Sequence, residues 1–132
     1  MYILDTVLLS YIFREDSRAW LYAAEIESDG PLYISCQSIA ELYYGAESDG
    51  WGISKRQKLT ALLGEFVLLL HDEETAKCYA TIRAGGKRLG RVFLPQDNWI
   101  LANAKQYGLV LLSHDKDMMV GEELGIEVIC RA

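Results

Sequence analysis

Short runs of consecutive apolar residues recur along the chain, separated by longer stretches in which apolar residues fall three and four apart. "YIL" (2–4), "LYIS" (32–35), "FVLLL" (66–70), "LVLLS" (109–113) and "IEVIC" (126–130) have strand length. They lack in–out alternation, as strands buried on both faces do. Helical spacing predicts helices from Thr6 to about Arg14, in "SRAWLYAAEIES" (17–28), "QSIAELYYGAE" (37–47), "SKRQKLTALLGE" (54–65), "DEETAKCYATIRA" (72–84) and from Asp97 to Tyr107. Ser17 and Asp72 read as caps; Trp20, Leu21 and Ala24, and Ile100, Leu101 and Ala104, read as buried faces. "DGP" (29–31) and "DGWG" (49–52) are breakers, "GGKRLGRVFLP" (85–95) reads as a glycine-rich basic loop, and a polar turn follows Ser113. Alternating strands and helices predict one α/β domain with a mostly parallel sheet of about five strands flanked by helices.

Composition narrows the function classes. Hydrophobic residues make up 51% of 132, enough for a core in a single domain. The formal net charge is -6 and the pI about 4.9, which does not favour binding nucleic acid by bulk charge. A polyanionic partner then needs a local basic patch or bound metal. No run has membrane-span length, and the apolar N-terminus lacks a basic n-region and a cleavage site, so it reads as a strand and a helix. Cys36, Cys78 and Cys130 are odd in number and far apart, which predicts buried thiols in a reducing cytoplasm.

The acidic residues fall where chemistry is done in such a sheet. Asp5 directly follows the first strand, and Asp115 lies two residues past the strand at 109–113. Ligands of open parallel sheets bind outside the carboxyl ends of the strands. Glu41 lies one turn into the helix after "LYIS", and Asp97 starts the helix leading into 109–113. Uncompensated carboxylates repel one another unless protonated, paired or bridged by cations. All-oxygen donors suit Mg²⁺ or Mn²⁺, and such a site supports metal-assisted phosphodiester cleavage. Each acid also has a local reading: Asp5 and Asp97 as helix caps, Ser38 and Glu41 as a capping box, Asp115 and Asp117 as turn formers. His71 and His114 read as surface or hydrogen-bonded residues, and Trp20, Tyr43 and Tyr44 as packing.

"YILDT", "SIAELYYG" and "LPQDNWILANAKQYGLVLLSHDKDM" together resemble the PIN-domain ribonucleases, and among them the VapC-like toxins of toxin–antitoxin pairs. The resemblance runs nearly end to end. It implies a PIN-like three-layer sandwich and a metal-dependent endoribonuclease. Asp5, Glu41, Asp97 and Asp115 take the catalytic and metal-holding positions, Asp117 an accessory one, and Mg²⁺ or Mn²⁺ is the cofactor. The implied partners are an RNA substrate, a cognate antitoxin protein and a second copy in a homodimer, in the cytoplasm and without a membrane. Apolar residues on 17–28 and 54–65 that a small domain does not cover point to the same dimer. Thr6 and Ser113 are expected to support the acids by hydrogen bonds. Lys87, Arg88 and Arg91, beside Arg83 in "IRAGGKRLGR", read either as a solvated loop whose charges aid solubility or as contacts to the RNA backbone. Gln96, Asn98-Trp99 and Met118-Met119 depart from the family's usual residues, and none removes a carboxylate. A catalytically idle PIN-like interaction or RNA-binding module is the competing reading. A phosphoacceptor receiver domain would need an acceptor Asp after the third strand and a Lys after the fifth. Here the fifth ends "VICRA", with no Lys.

Overall fold

A computed structural model describes all 132 residues. Five strands, β1 (Tyr2–Leu4), β2 (Leu32–Ser35), β3 (Val67–Leu69), β4 (Val110–Leu112) and β5 (Val128–Ile129), form one sheet in the order β3-β2-β1-β4-β5. Every neighbouring pair is parallel. The chain steps outward from β1 through β2 to β3, then crosses back to place β4 on the other side of β1. The strand order therefore reverses between β1 and β4, which opens a crevice at their carboxyl ends.

The helices are α1 (Thr6–Phe13), α2 (Ala23–Ile26), α3 (Cys36–Ser48), α4 (Ile53–Leu63), α5 (Glu73–Arg88) and α6 (Pro95–Tyr107), with 3₁₀ segments at Ser17–Tyr22 and Lys116–Leu124. They cover both sheet faces with two separate cores. Ile3, Leu69, Ile82, Leu101 and Leu111 belong to the core under α5 and α6. Leu4, Leu8, Ile34, Leu59 and Leu112 belong to the core under α1, α3 and α4. Alternation along β1 thus assigns Ile3 to one face and Leu4 to the other, and Leu111 and Leu112 divide in the same way. By the same alternation Asp5 and Ser113, one residue beyond the Leu4–Leu112 register pair, fall on the α6 side.

Several local expectations are corrected. The predicted helix at 17–28 is a 3₁₀ turn followed by one short α turn, and Asp16 rather than Ser17 caps it, accepting from the Arg18 N–H. Trp20 is 74% exposed and Tyr44 72%, so neither packs in a core. The polar turn after Ser113 contains the second 3₁₀ segment, capped by Asp115. The three cysteines are free and half-buried rather than buried. The largest correction concerns 85–95, where α5 continues through Gly85, Gly86, Lys87 and Arg88 before the chain turns. Glycine costs a helix about 1 kcal/mol relative to alanine. Here close packing offsets it. A Cβ on Gly85 would sit 2.7 Å from Leu124 Cδ2, and one on Gly86 would sit 3.1 Å from Arg91 O and 3.2 Å from the Phe93 ring. Asp72 caps α5 as expected, in a reciprocal box with Thr75.

Candidate active site

The site starts from Asp5. Its N–H continues the β1–β4 ladder by donating to Leu112 O at 2.9 Å, which fixes its position between the two strands. Its side chain caps α1, accepting from the Thr6 N–H at 2.7 Å, and its other oxygen accepts from Ser113 Oγ at 2.7 Å. Ser113 Oγ also accepts from the Asp115 N–H at 3.1 Å. One serine therefore ties the acid of β1 to the acidic turn after β4. Asp5 is 4% exposed. Burial raises its pKa, against the opposing Ser113 and Thr6 bonds, and the Asp115 charge raises it further.

Glu41 arrives on α3. The capping-box reading of Ser38 and Glu41 does not hold, because Ser35 caps the helix by accepting from the Gln37 N–H. Ser38 and Glu41 instead meet Thr6. The Thr6 hydroxyl donates to Glu41 Oε2 at 2.5 Å and lies 2.8 Å from Ser38 Oγ. Burial raises the Glu41 pKa, the Thr6 bond lowers it, and the Asp5 charge raises it. Asp97 sits in the first turn of α6, where a negative charge is favoured by the helix dipole. It is not the cap: Leu94 holds that position and Pro95 starts the helix. Burial, then the charges of Asp5, Asp115, Glu41 and Asp117, push its carboxyl up to about 6. All five acids thus act on one electrostatic field.

Asp97, Asp115 and Asp117 line a cleft of about 250 Å³, closed by Arg91, Val92, Phe93, Leu94 and Met118. Asp5 and Glu41 do not line it. None of the chain's ion pairs involves any of the five acids. No three His, Cys, Asp or Glu side chains form a ready-made ligand set. The donor chemistry nevertheless fits a hard divalent cation: oxygen ligands only, uncompensated negative charge, and a raised Asp97 pKa that a cation would relieve.

Sequence reasoning missed Tyr22, which sits 91 residues from Ser113 and carries no local signal. It is fully buried. Its hydroxyl lies 3.0 Å from Ser113 O, which it donates to, and 2.8 Å from His114 Nδ1, and it accepts from the Arg131 N–H at 2.8 Å. The C-terminal strand and the acidic turn are pinned to one oxygen. Tyr22→Phe is expected to cost about 1–3 kcal/mol, the penalty of leaving buried partners unpaired. Urea unfolding measures the loss, and faster amide exchange at His114 and Asp115 locates it.

A second concavity adjoins the cleft. Tyr79, Ala80, Arg83, Ala84 and Lys87 of α5 and the segment Arg91–Phe93 line a groove of about 650 Å³. Lys87 and Arg91 reach it; Arg88, on the same helical turn, does not line it.

The PIN domain family model matches residues 2–120 of this chain. The chain belongs to the PIN domain family. The VapC ribonuclease Y4jK of Sinorhizobium fredii is 29% identical, covering 98% of this chain and 96% of its own. The crystal structure of FitAcB from Neisseria gonorrhoeae superposes with a TM-score of 0.71 at 27% identity, over 98% of this chain and 96% of that one. VapBC2 from Rickettsia felis, solved with a DNA fragment from its promoter, gives a TM-score of 0.84 at 17% identity over 98% and 97% of the two chains, which supports the fold. No helix of this PIN domain is long and apolar enough to cross a membrane.

Proposed function

We propose that this PIN domain is an endoribonuclease that hydrolyses RNA phosphodiester bonds with Mg²⁺ or Mn²⁺, and that it is the toxin of a pair held in check by a cognate antitoxin protein. The observation that supports the reading is the Asp97 carboxyl, raised by burial and by the charges of Asp5, Asp115, Glu41 and Asp117, with no ion pair of the chain to any of these acids. The ribonuclease names of two relatives and the name of a third, Toxin FitB of Neisseria gonorrhoeae, support it. Asp5, Glu41, Asp97 and Asp115, with Asp117 accessory, would hold the metal. When bound, the metal supplies an activated water and charge stabilisation at phosphorus. The chain's own contribution is positional. Thr6 and Ser113 hold Glu41 and Asp5 by hydrogen bonds, and the buried Asp5 anchors the acidic turn. Lys87 and Arg91, with Arg88 nearby, offer charge to the RNA backbone. Cleavage of a labelled RNA by the purified chain is expected to require Mg²⁺ or Mn²⁺ and to stop with EDTA; full cleavage in excess EDTA would sink the metal.

We propose a homodimer that pairs through part of the apolar surface on 17–28 and 54–65. Leu59 and Leu63 of α4 are buried within the chain, whereas Trp20, Leu21 and Ile53 stay exposed. Sedimentation at micromolar concentration is expected to give a dimer that Trp20→Glu dissociates, and a wild-type monomer would count against pairing through this surface.

A further inference from the structure

Ser113 has every polar group of its own committed. Its N–H donates to Ile129 O at 3.1 Å, and its hydroxyl donates to Asp5 and accepts from the Asp115 N–H. The sheet and the acids supply those three bonds. The fourth, to its carbonyl, comes from the Tyr22 hydroxyl, at the end of the 3₁₀ segment Ser17–Tyr22 and in the core of the opposite sheet face. A tyrosine oxygen offers one proton and two lone pairs. A carbonyl only accepts, so the proton goes to Ser113 O. The Arg131 N–H takes one lone pair, and His114 Nδ1 faces the other at 2.8 Å, which places the imidazole proton on Nδ1. The His114 ring also stands edge-on to the rings of Tyr11 and Tyr22, with centroids 5.6 and 5.8 Å away. One hydroxyl therefore holds the Ser113–His114 peptide both at its carbonyl and at the side chain that follows.

Tyr22 is itself clasped. Arg131 pairs with both oxygens of the buried Glu25 on α2, donates to Leu21 O at 2.9 Å, and lies 5.5 Å over the Tyr22 ring. The ring fills the core; the hydroxyl adds nothing to apolar packing, and a buried hydroxyl is costly unless bonded. Two of its three bonds go to the residues just before Asp115.

Asp5 and Asp115 depend on Ser113 to different degrees. Asp5 keeps its own ladder bond to Leu112 O and the Thr6 N–H whatever Ser113 does. Asp115 has only the bond from its N–H to Ser113 Oγ to tie it to the sheet. Its other bonds, from the Asp117 N–H to Oδ1 and from the Met118 N–H to its carbonyl, lie within the turn and move with it. A shift of the Ser113–His114 peptide thus falls on Asp115, which lines the cleft with Asp97 and Asp117.

We propose that Tyr22 is a positioning residue for Asp115: its hydroxyl, clasped by Arg131, fixes the Ser113–His114 peptide and so sets how tightly the acid cleft holds a divalent cation. The inference rests on the metal-dependent reading of the site. It makes part of the site's metal affinity a property of a core tyrosine that touches neither metal nor RNA.

The test is Mn²⁺ binding by the full chain without RNA, followed by isothermal titration calorimetry into the millimolar range, with circular dichroism confirming that each variant is folded. Tyr22→Phe keeps the ring in the core and removes only the oxygen. It is expected to weaken Mn²⁺ binding about tenfold, the low end for losing a group that orients a ligand. Leu63→Ala opens the same core without touching the turn. It should lower the urea midpoint yet leave Mn²⁺ affinity within about twofold of wild type. Asp115→Asn keeps an oxygen for the Asp117 N–H and removes the charge. In that background Tyr22→Phe should change Mn²⁺ affinity by less than about twofold, because two residues acting through one contact are not additive. Unchanged Mn²⁺ affinity in Tyr22→Phe overturns the proposal. A loss in Leu63→Ala as large as in Tyr22→Phe overturns it by making the effect one of stability alone. A tenfold loss from Tyr22→Phe with and without the Asp115 charge overturns it by showing that the hydroxyl does not act through Asp115. Wild type that binds no Mn²⁺ overturns the metal reading and the proposal with it, whereas wild type and Tyr22→Phe that bind alike leave the metal reading standing.

Discussion

Asp97→Asn is expected to reduce RNA cleavage by on the order of 10²- to 10³-fold, the range for losing one charge interaction at a transition state, while leaving the fold intact. The substitution keeps the size of the side chain and its place in the first turn of α6, and it breaks no hydrogen bond. It also removes one of the mutually repelling charges. The sign of the accompanying pH effect follows from the Asp97 carboxyl, raised from 3.8 to about 6 by burial and by its acidic neighbours. At pH below 3.8 it is protonated folded and unfolded, and contributes nothing. Between 3.8 and about 6 the unfolded chain releases the proton while the folded chain keeps it, so stability falls as pH rises. Above that window the full penalty of the charge persists. Asp5 and Glu41 are raised too and act in the same sense. Metal-free thermal melts from pH ~4 to ~7 are therefore expected to show a smaller loss of stability with pH in Asp97→Asn than in wild type. Adding Mn²⁺ should raise the wild-type melting temperature and raise that of Asp97→Asn less, since a ligand stabilises only the state that binds it. A variant that still cleaves RNA at the wild-type rate would remove Asp97 from the site.

The largest expected loss of stability is at Leu4. It is fully buried, lies in the central strand of the sheet, and belongs to the core with Leu8, Tyr22, Ile34 and Leu112. Leu4→Ala should cost about 2–5 kcal/mol, because the surrounding strands and helices cannot collapse into the space. That is a large share of the roughly 5–15 kcal/mol by which a domain is stable. Urea unfolding should show a lower midpoint with an unchanged slope. Leu68→Ala, on the edge strand β3 where the residue is 43% exposed, is the comparison. It should change stability by only about 0.5 kcal/mol, as at other surface sites. An equal cost at both positions would mean that β3 is covered in solution.

The sheet was legible because its strands are uninterrupted apolar runs, and Asp5 and Asp115 followed from their places just past two of those runs. The helix at 85–88 was not legible. Two consecutive glycines signal a loop by propensity, and only tertiary packing against Leu124 and Phe93 reveals why they lie in a helix. Asp97 and Glu41 were legible as candidate acids, and the fold brings their charges within reach of one another, but their local roles were not, because the caps fell on Leu94 and Ser35. Ser38 was hidden by its three-residue spacing to Glu41, which imitates a capping box. Trp20 and Tyr44 were misjudged because an amphipathic pattern does not say whether a partner within the chain exists to cover the apolar face.

The bond from Ser113 to Asp5 spans 108 positions of sequence, and it forms only when β1 and β4 pair in register. A slip of one residue would turn Asp5 to the opposite side of the sheet. Pairings of such separation close late in folding, since the entropy of the intervening loop must be lost first. During synthesis, β1 emerges long before β4 exists. A nascent chain that has not yet made β4 carries Asp5, Glu41 and Asp97 without the Ser113 and Asp115 that complete the site. The acid set therefore stays incomplete until β4 has been made and has paired with β1.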